Sequence, residues 1–192
     1  MTDPHHDQTK RRSPPWRIIG WSVPVLLLLL PLVAGAPWTL SDYVIMGALF
    51  LIAGIGVEGA VWASGDTAYR LGAGAAIATA FLLIWVNMAV GFLGDENNPA
   101  NLLFFAVLAV AFFGGLLAAF RAAGLARAMI AAAICQVVVG IVAFVAGWAS
   151  PGSGGLYEVV MGTGLFTGMW LVSAAFFTTS VRRQREREAT SA

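Results

Sequence analysis

Three polar side chains interrupt stretches of this sequence that are otherwise apolar, and each is a candidate for chemistry: Glu58, Asn87 and Gln136. Inside a membrane a charged side chain costs about 2.5–3.5 kcal/mol, so such residues are functional candidates by default. Glu58 can serve as a protonatable group in an ion or proton path. Asn87 and Gln136 are most simply residues that hydrogen-bond between helices, each contributing about 1 kcal/mol. A role in contacting a substrate is the alternative for both.

The depths of these residues decide which of them can act together. A helix rises about 1.5 Å per residue, which puts Glu58 about 9 Å, Gln136 about 14 Å and Asn87 about 24 Å from the same membrane face. Glu58 and Gln136 are therefore predicted to be within reach of each other, whereas Asn87 is not. The structural alternative pairs Glu58 with Arg70 across a helical hairpin. We favour this ion pair, and contact of Glu58 with a lipid headgroup or a partner is a third interpretation.

A polar loop with the sequence GDENNPA contains Asp95, Glu96, Asn97 and Asn98. Carboxylate and amide oxygens are ligands of hard cations such as calcium, so a cation site or a partner-binding loop is one interpretation. The loop lacks the spacing of an EF-hand. The pair Asn98 and Pro99 fits an N-cap and first-turn proline of the next helix better, and we favour this interpretation.

The cysteine and histidine content argues against a cofactor. Cys135 is the only cysteine, so an internal disulfide and CxxC motifs are excluded, and its apolar surroundings indicate a packing residue. His5 and His6 both precede the first apolar segment, so the predicted helices contain no axial ligand for haem. We expect no metal site and no cofactor, and we interpret the histidine pair as part of a disordered tail.

Helices in a membrane must position these residues, because 59% of the 192 residues are hydrophobic and only 11% are charged. Globular domains have about 25% charged residues, and about 20 apolar residues suffice to cross a bilayer. The loops between the apolar segments are too short to fold alone. The sequence thus predicts an all-α protein, a bundle of six transmembrane helices at about 18–36, 42–64, 71–93, 101–121, 127–149 and 156–181.

The basic residues predict the orientation of this bundle, because lysine and arginine accumulate on the cytoplasmic side of membranes. With six spans, every lysine and arginine of the chain falls on one side. We therefore place both termini in the cytoplasm, as a tail at 1–17 that is predicted to be disordered and a basic tail at 182–192. The opposite loops contain only acidic charges, from Asp42, Asp95, Glu96 and Glu158.

The first apolar segment also has features of a secretory signal peptide. A basic start precedes it, and Ala34 and Ala36 form an A-x-A cleavage pattern. Pro37 would follow the cut, and the segment is long for a signal sequence. We expect this helix to be retained as the first span.

Small residues recur at spacings of four within several segments, a pattern that lets helices approach closely in membranes. An alanine- and glycine-rich chain also generates this pattern often by chance. The pattern makes candidates for close contacts of Gly72, Ala76 and Ala80 in the third segment, Ala111, Gly115 and Ala119 in the fourth, and Gly164 and Gly168 in the sixth.

Between about residues 65 and 145 the segments SGDTAYRLGAG, LLIWVNMAVGFLGDENNPANLLFF and GLARAMIAAAICQ resemble a family of uncharacterised bacterial inner-membrane proteins. Members of that family have a similar NTAYR turn, a WVN helix and an acidic loop that ends in NPAN. The resemblance covers under half of the chain, and the acidic pair stands one position earlier here. It implies a multi-pass protein of the bacterial inner membrane, with no activity, cofactor or catalytic residue attached to it.

The sequence contains no motif that supplies an activated nucleophile or a phosphate-binding loop. We expect an accessory, structural or assembly component of an inner-membrane complex. Its partners would be the lipid bilayer, other membrane subunits or a second copy of itself, with no nucleic acid. The alternative is a small transporter or channel with Glu58 and Gln136 lining its path. An intramembrane enzyme using Asp95, Glu96 and Glu158 is the least favoured hypothesis, because acids near helix ends are ordinary capping residues.

Overall fold

The computed structural model describes residues 15–89, 91–94, 98–148 and 153–191, and these residues form helices and their connections without a strand. Residues 1–14 of the predicted N-terminal tail and residues 95–97 of the polar loop lie outside the described residues, and residues 15–17 of that tail belong to a helix. The helices are α1 (Pro15–Val33), α2 (Leu40–Ala63), α3 (Thr67–Ala89), α4 (Leu103–Leu117), α5 (Ala122–Val145) and α6 (Ser153–Ser191), with a short 3-10 helix, Pro99–Leu102, directly before α4.

Five of these helices are long and apolar enough to cross a membrane: α2, α3, the segment Pro99–Leu117, α5 and α6 from Tyr157 onward. The apolar part of α1 that the structure describes, Gly20–Val33, is shorter. The prediction of an all-helical protein with several helices of membrane-spanning length is thus confirmed for the described residues. The sixth span and the orientation of the bundle stay predictions.

The first of two compact units ends at Gly54 and contains α1 and the first half of α2. The Trp21 ring lies over Gly54, where an added Cβ would be 2.6 Å from a ring carbon. An added Cβ at Gly47 would be 3.9 Å from a methyl carbon of Leu28. Because the two contacts follow opposite directions along the two helices, α1 and α2 are antiparallel.

Thr39 fixes the start of α2. Its backbone N–H and its hydroxyl both donate to the Asp42 carboxylate, at 2.7 and 2.9 Å. In return the Asp42 N–H donates to the Thr39 hydroxyl at 3.4 Å. This reciprocal cap starts the helix at Leu40, two residues before the predicted boundary at 42.

The second unit begins at Ile55 and contains α3, α4, α5 and α6. In it α6 packs against α3 and α5, and α4 packs against α5. The largest fully buried side chains of its core are Trp170, Phe104, Phe177 and Leu83. Helices α5 and α6 are therefore the central elements of this unit, each with two neighbouring helices.

Helices α3 and α6 run antiparallel. Near the start of α3, an added Cβ on Gly72 would be 3.1 Å from the Phe177 ring. Beyond the end of α3, Phe92 packs against Phe166 with ring centroids 5.7 Å apart. The unit thus has two ends. We call the one with the α2–α3 turn, the α4–α5 turn and the end of α6 the arginine end, and the one with the α3–α4 and α5–α6 connections the loop end.

Two helices begin earlier than predicted because polar residues that resemble a loop are part of a helix start. Helix α3 begins at Thr67 instead of 71, since the Asp66 side chain accepts a hydrogen bond from the first turn. Helix α5 begins at Ala122 instead of 127, directly after Arg121 in an extended conformation. The predicted loop RAAGLA is therefore mostly helical.

Two helix ends also differ from the prediction. Helix α3 ends at Ala89 instead of 93, before Gly91 and Gly94, which have φ values of 70° and 77°. Only glycine adopts this left-handed conformation readily, so the chain leaves the helix there. Helix α6 continues to Ser191, ten residues past the predicted end of its apolar segment, because arginine, glutamine and glutamate are good helix formers.

A tight contact on α6 lies at Gly162 rather than at the predicted Gly164 and Gly168. An added Cβ at Gly162 would be 2.8 Å from a carbon of the buried Phe92 ring. At Gly164 and Gly168 an added Cβ would meet nothing within 4 Å. The candidate contacts at those two positions are not formed among the described residues, because the face of α6 that carries them is not the one packed against the ring.

We expect Gly162→Ala to be about 1–3 kcal/mol less stable than Gly164→Ala, because the new methyl group overpacks the core at Gly162 only. Both substitutions gain the same helix propensity, so their difference isolates the steric term. The measurement is the free energy of unfolding of the two variants in detergent micelles titrated with a denaturing detergent. Equal stabilities would show that the Phe92 ring is free to move away.

Candidate functional site

The α2–α3 turn contains a group of side chains that we call the Asp66–Arg70 clamp: Asp66, Tyr69 and Arg70. Asp66 is the N-cap of α3, because its Oδ1 accepts a hydrogen bond from the Tyr69 N–H at 2.9 Å. The Asp66 N–H in turn donates to the Ser64 hydroxyl at 3.1 Å. These bonds satisfy backbone donors that a helix start otherwise leaves free.

Tyr69 connects the start of α3 to the α4–α5 turn. Its hydroxyl donates to the Phe120 carbonyl at 2.8 Å, and its ring meets Phe177 edge-on at 5.4 Å between centroids. Ala119 and Phe120 have φ values of 47° and 55°, a conformation that costs a non-glycine residue about 1–2 kcal/mol. Tyr69 holds this strained turn in place. Ala119 was grouped with Ala111 and Gly115 in the sequence pattern of the fourth segment. In the structure it is instead a turn residue beyond the end of α4.

Arg70 joins α3 to the end of α2. Its Nε donates to the Ser64 carbonyl at 2.7 Å and its Nη2 to the Val61 carbonyl at 3.1 Å. These are carbonyls at the C-terminal end of α2, which has no further helical turn to bond them. Glu58 lies half-buried three residues before Val61. The guanidinium is therefore bound next to the part of α2 that contains Glu58, and the ion pair between Glu58 and Arg70 stays a prediction.

Asp66 also faces the end of α6. The Tyr69 N–H lowers the pKa of the Asp66 carboxyl below its ordinary value of 3.8, against the opposing effect of burial. Ser180, Arg183 and Arg187 lower this pKa further, although the Ser180 hydroxyl falls outside the geometry of a full hydrogen bond. Arg183 Nη1 lies 3.8 Å from Asp66 Oδ2, with side chains 49% and 7% exposed. A pair this long and exposed contributes below about 1 kcal/mol.

The pH dependence of stability should report the Asp66 cap. Since folding lowers the pKa of Asp66, its stabilising effect is complete above the unfolded value near 3.8 and is lost as the pH falls through the folded value. Asp66→Asn keeps a capping oxygen but cannot ionise. We expect the difference in unfolding free energy between the two proteins to be constant from about pH 8 to 5 and to shrink below about pH 4. A difference unchanged at about pH 3 would contradict this assignment.

The loop end contains a second group, which we call the Asn98–Asn101 clamp. Asn98 Oδ1 accepts a hydrogen bond from the Ala100 N–H at 3.0 Å, and Pro99 follows as the first helical residue. The predicted N-cap is thus confirmed, for the 3-10 turn that opens α4. Asn101 is buried, and its Oδ1 accepts bonds from the N–H groups of Phe92 and Leu93, at 2.9 and 2.7 Å.

The rest of the predicted acidic loop cannot be placed against this clamp. Asp95, Glu96 and Asn97 lie outside the described residues. A cation site or partner-binding loop formed by them and Asn98 therefore stays a prediction. Within the residues that the structure describes, no group of three or more His, Cys, Asp or Glu side chains is placed to hold a metal ion.

The interior of the bundle contains four polar side chains that we call the Gln136 cluster: Gln136 on α5, and Thr163, Thr167 and Trp170 on α6. Gln136 and Trp170 are fully buried. Gln136 Oε1 and Nε2, both threonine hydroxyls and the Trp170 indole N–H are buried without a hydrogen-bond partner among the described residues. The interhelical hydrogen bond predicted for Gln136 is therefore not formed within the described bundle.

Asn87 lies apart from this cluster, near the end of α3. Its Nδ2 donates to the Leu83 carbonyl of the same helix at 2.7 Å, and its Oδ1 has no partner among the described residues. The interhelical hydrogen bond predicted for Asn87 is likewise not formed among the described residues, where the amide bonds within its own helix. No observed contact between Glu58 and Gln136 tests the path predicted through these two residues. The path therefore stays a prediction.

The predicted and observed sites overlap only in part. Sequence reasoning identified Gln136, Asn98 and Arg70 as residues of interest but missed Asp66, Tyr69 and Asn101, whose roles lie in turns and loops. An aspartate directly before the first residues of a helical pattern is a signal of an N-cap, and this signal was present at Asp66. Comparisons with known proteins give no match for this chain, whether to a family model, to a curated protein or to a solved structure.

Proposed function

We propose that this chain is an accessory, structural or assembly component of a membrane complex. The observation that carries this proposal is the use of polar side chains at both ends of the second unit. Tyr69, Arg70 and Asn101 all bond to backbone groups of other segments of this unit. Side chains committed to holding helices and turns in place suit a rigid platform, because their hydrogen-bonding groups are occupied.

We further propose six membrane spans with both termini in the cytoplasm of a bacterial cell, the membrane being the inner one. The placement of arginine supports this orientation. Arg70, Arg121 and the exposed Arg183 all lie at the arginine end of the second unit. The resemblance of the TAYR and NPAN segments to bacterial inner-membrane proteins supports the bacterial location.

Affinity purification from native membranes tests the accessory function. The full chain with a C-terminal tag is extracted in a mild detergent, and proteins recovered in a fixed ratio are identified by mass spectrometry. We expect one or more integral membrane proteins at a constant stoichiometry. The control is an unrelated membrane protein of similar size with the same tag. Recovery of the chain alone, or only with further copies of itself, would contradict an accessory role.

A small transporter or channel is the second candidate function, and the buried amide of Gln136 is the observation that favours it. A bundle interior with unbonded polar groups suits a path for polar solutes better than a purely apolar core does. Glu58→Gln in proteoliposomes tests this function. Loss of flux at unchanged protein abundance supports a path through Glu58, whereas reduced abundance with normal flux per molecule supports the structural ion pair with Arg70.

A further inference from the structure

The residues of the Gln136 cluster face one another across the contact between α5 and α6. An added Cβ at Gly140 would be 2.5 Å from Thr163 Oγ1, so these two residues are opposite each other. Helix α5 starts at the arginine end and α6 ends there, so the two helices are antiparallel. One turn further along both helices, Gln136 and Thr167 are opposite each other, and Trp170 follows within the next turn of α6.

The threonines of the cluster differ from other threonines of this chain. A threonine in a helix ordinarily bonds the carbonyl four residues earlier. Thr79 and Thr178 do so, at 2.7 and 2.8 Å. Thr163 and Thr167 do not, although both lie in regular helix. Their hydroxyl groups therefore remain free to bond something else at the α5–α6 contact.

Unbonded polar groups at this depth are costly. Each buried donor or acceptor without a partner costs about 1–3 kcal/mol, and a membrane interior offers no bulk water to replace the missing bonds. The cluster places several such groups in one part of the core, with Gln136 and Trp170 fully buried. A molecule that bonds several of them at once would recover much of this cost.

The chemistry of the cluster defines what such a molecule must be. The Gln136 amide and the threonine hydroxyls both donate and accept, and the Trp170 indole donates. Among the described residues the buried side chain that carries a charge at neutral pH is Asp66, which lies at the arginine end. The ligand is therefore small, uncharged, and able both to donate and to accept hydrogen bonds.

We propose that Gln136, Thr163, Thr167 and Trp170 form an internal binding site for small neutral hydrogen-bonding molecules, of which water is the smallest. The molecule bridges α5 and α6 by accepting from the Trp170 indole and exchanging bonds with the Gln136 amide and the Thr167 hydroxyl. This site does not depend on which proposed function is correct, because a helix bundle can hold an internal ligand whether it is an accessory subunit or a transporter.

Nuclear magnetic resonance of the Trp170 indole tests the site directly. The full chain is prepared with ¹⁵N-labelled tryptophan in deuterated lipid nanodiscs, and the Trp170 signal is assigned by its absence from Trp170→Phe. We expect a nuclear Overhauser cross-peak between the indole proton and a small molecule. A cross-peak at the water frequency identifies water as the ligand. A cross-peak at a frequency that belongs to none of protein, lipid and water identifies a retained solute.

Two variants link the cross-peak to the cluster. Gln136→Leu has a similar volume but removes both amide groups, and Thr167→Val removes one hydroxyl with little change of shape. We expect loss of the cross-peak in Gln136→Leu and a weaker cross-peak in Thr167→Val. An indole proton of the wild-type chain with cross-peaks to protein and lipid alone would overturn the proposal. A cross-peak of unchanged intensity in both variants would overturn it as well.

Discussion

Replacing Trp170 with alanine should lower the free energy of unfolding by about 3 kcal/mol, mostly through the cavity that it leaves. Trp170 is the largest fully buried side chain among the described residues of the second unit, and it lies on α6, which packs against both α3 and α5. In a membrane the unfolded helices remain in lipid, so the transfer of apolar surface contributes little to helix packing. The lost van der Waals contacts make up most of the expected effect.

Trp62→Ala is the matched control, because the Trp62 side chain is 92% exposed and loses few contacts within the protein. Both variants are measured by the same denaturing-detergent titration in mixed micelles. We expect the unfolding midpoint of Trp62→Ala to stay near that of the wild type and that of Trp170→Ala to fall clearly. Similar midpoints for the two variants would show that the α6 core does not carry the stability of this unit.

Asn101→Ala should lower the free energy of unfolding by about 3 kcal/mol, because it leaves two buried backbone donors without an acceptor. The Asn101 carbonyl oxygen accepts from Phe92 and Leu93 N–H groups, and Asn101, Phe92 and Leu93 are all buried. Each orphaned donor costs about 1–3 kcal/mol. Alanine offers no acceptor in its side chain, and these residues lie where the chain has just left α3.

Asn98→Ala is the control within the same loop, since Asn98 is half-buried and its side chain accepts a single cap bond. We expect it to cost about 1 kcal/mol, the ordinary value for an N-cap. Amide hydrogen exchange gives a second measurement. Compared with the wild type, the N–H groups of Phe92 and Leu93 should exchange faster in Asn101→Ala and at an unchanged rate in Asn98→Ala. Slow exchange at both positions in Asn101→Ala would contradict the clamp.

The helical content was predictable because apolar runs of membrane length leave few alternatives to a helix. The boundaries were less predictable, since caps lie in polar segments that resemble loops. Asp66 starts α3 four residues before the end of the polar segment, and Thr39 starts α2 two residues early. In both cases the local hydrogen bond of a capping side chain decides the boundary, and hydropathy carries no information about it.

Inside the bundle, candidate residues were predictable only where a polar side chain stands alone in an apolar run. This rule identified Gln136 and Asn87. It missed Thr163, Thr167 and Trp170, because threonine usually bonds its own helix and tryptophan is common in membrane helices. Their grouping with Gln136 depends on the register between α5 and α6. The close approach of Gly140 to Thr163 defines this register. Contacts between distant segments of this kind leave no periodic signal in the sequence.

The arrangement of six spans is tested most directly by labelling single cysteines from one side of the membrane. In a Cys135→Ala background, Thr9→Cys, Ser41→Cys and Ser191→Cys are introduced separately, and intact spheroplasts are treated with a membrane-impermeant maleimide. Ser41 lies exposed at the start of α2 and Ser191 exposed at the end of α6. We predict labelling of Ser41→Cys in intact spheroplasts and of the other two only after lysis. Labelling of both Thr9→Cys and Ser41→Cys in intact spheroplasts would show that α1 does not cross the membrane and would contradict the six-span arrangement.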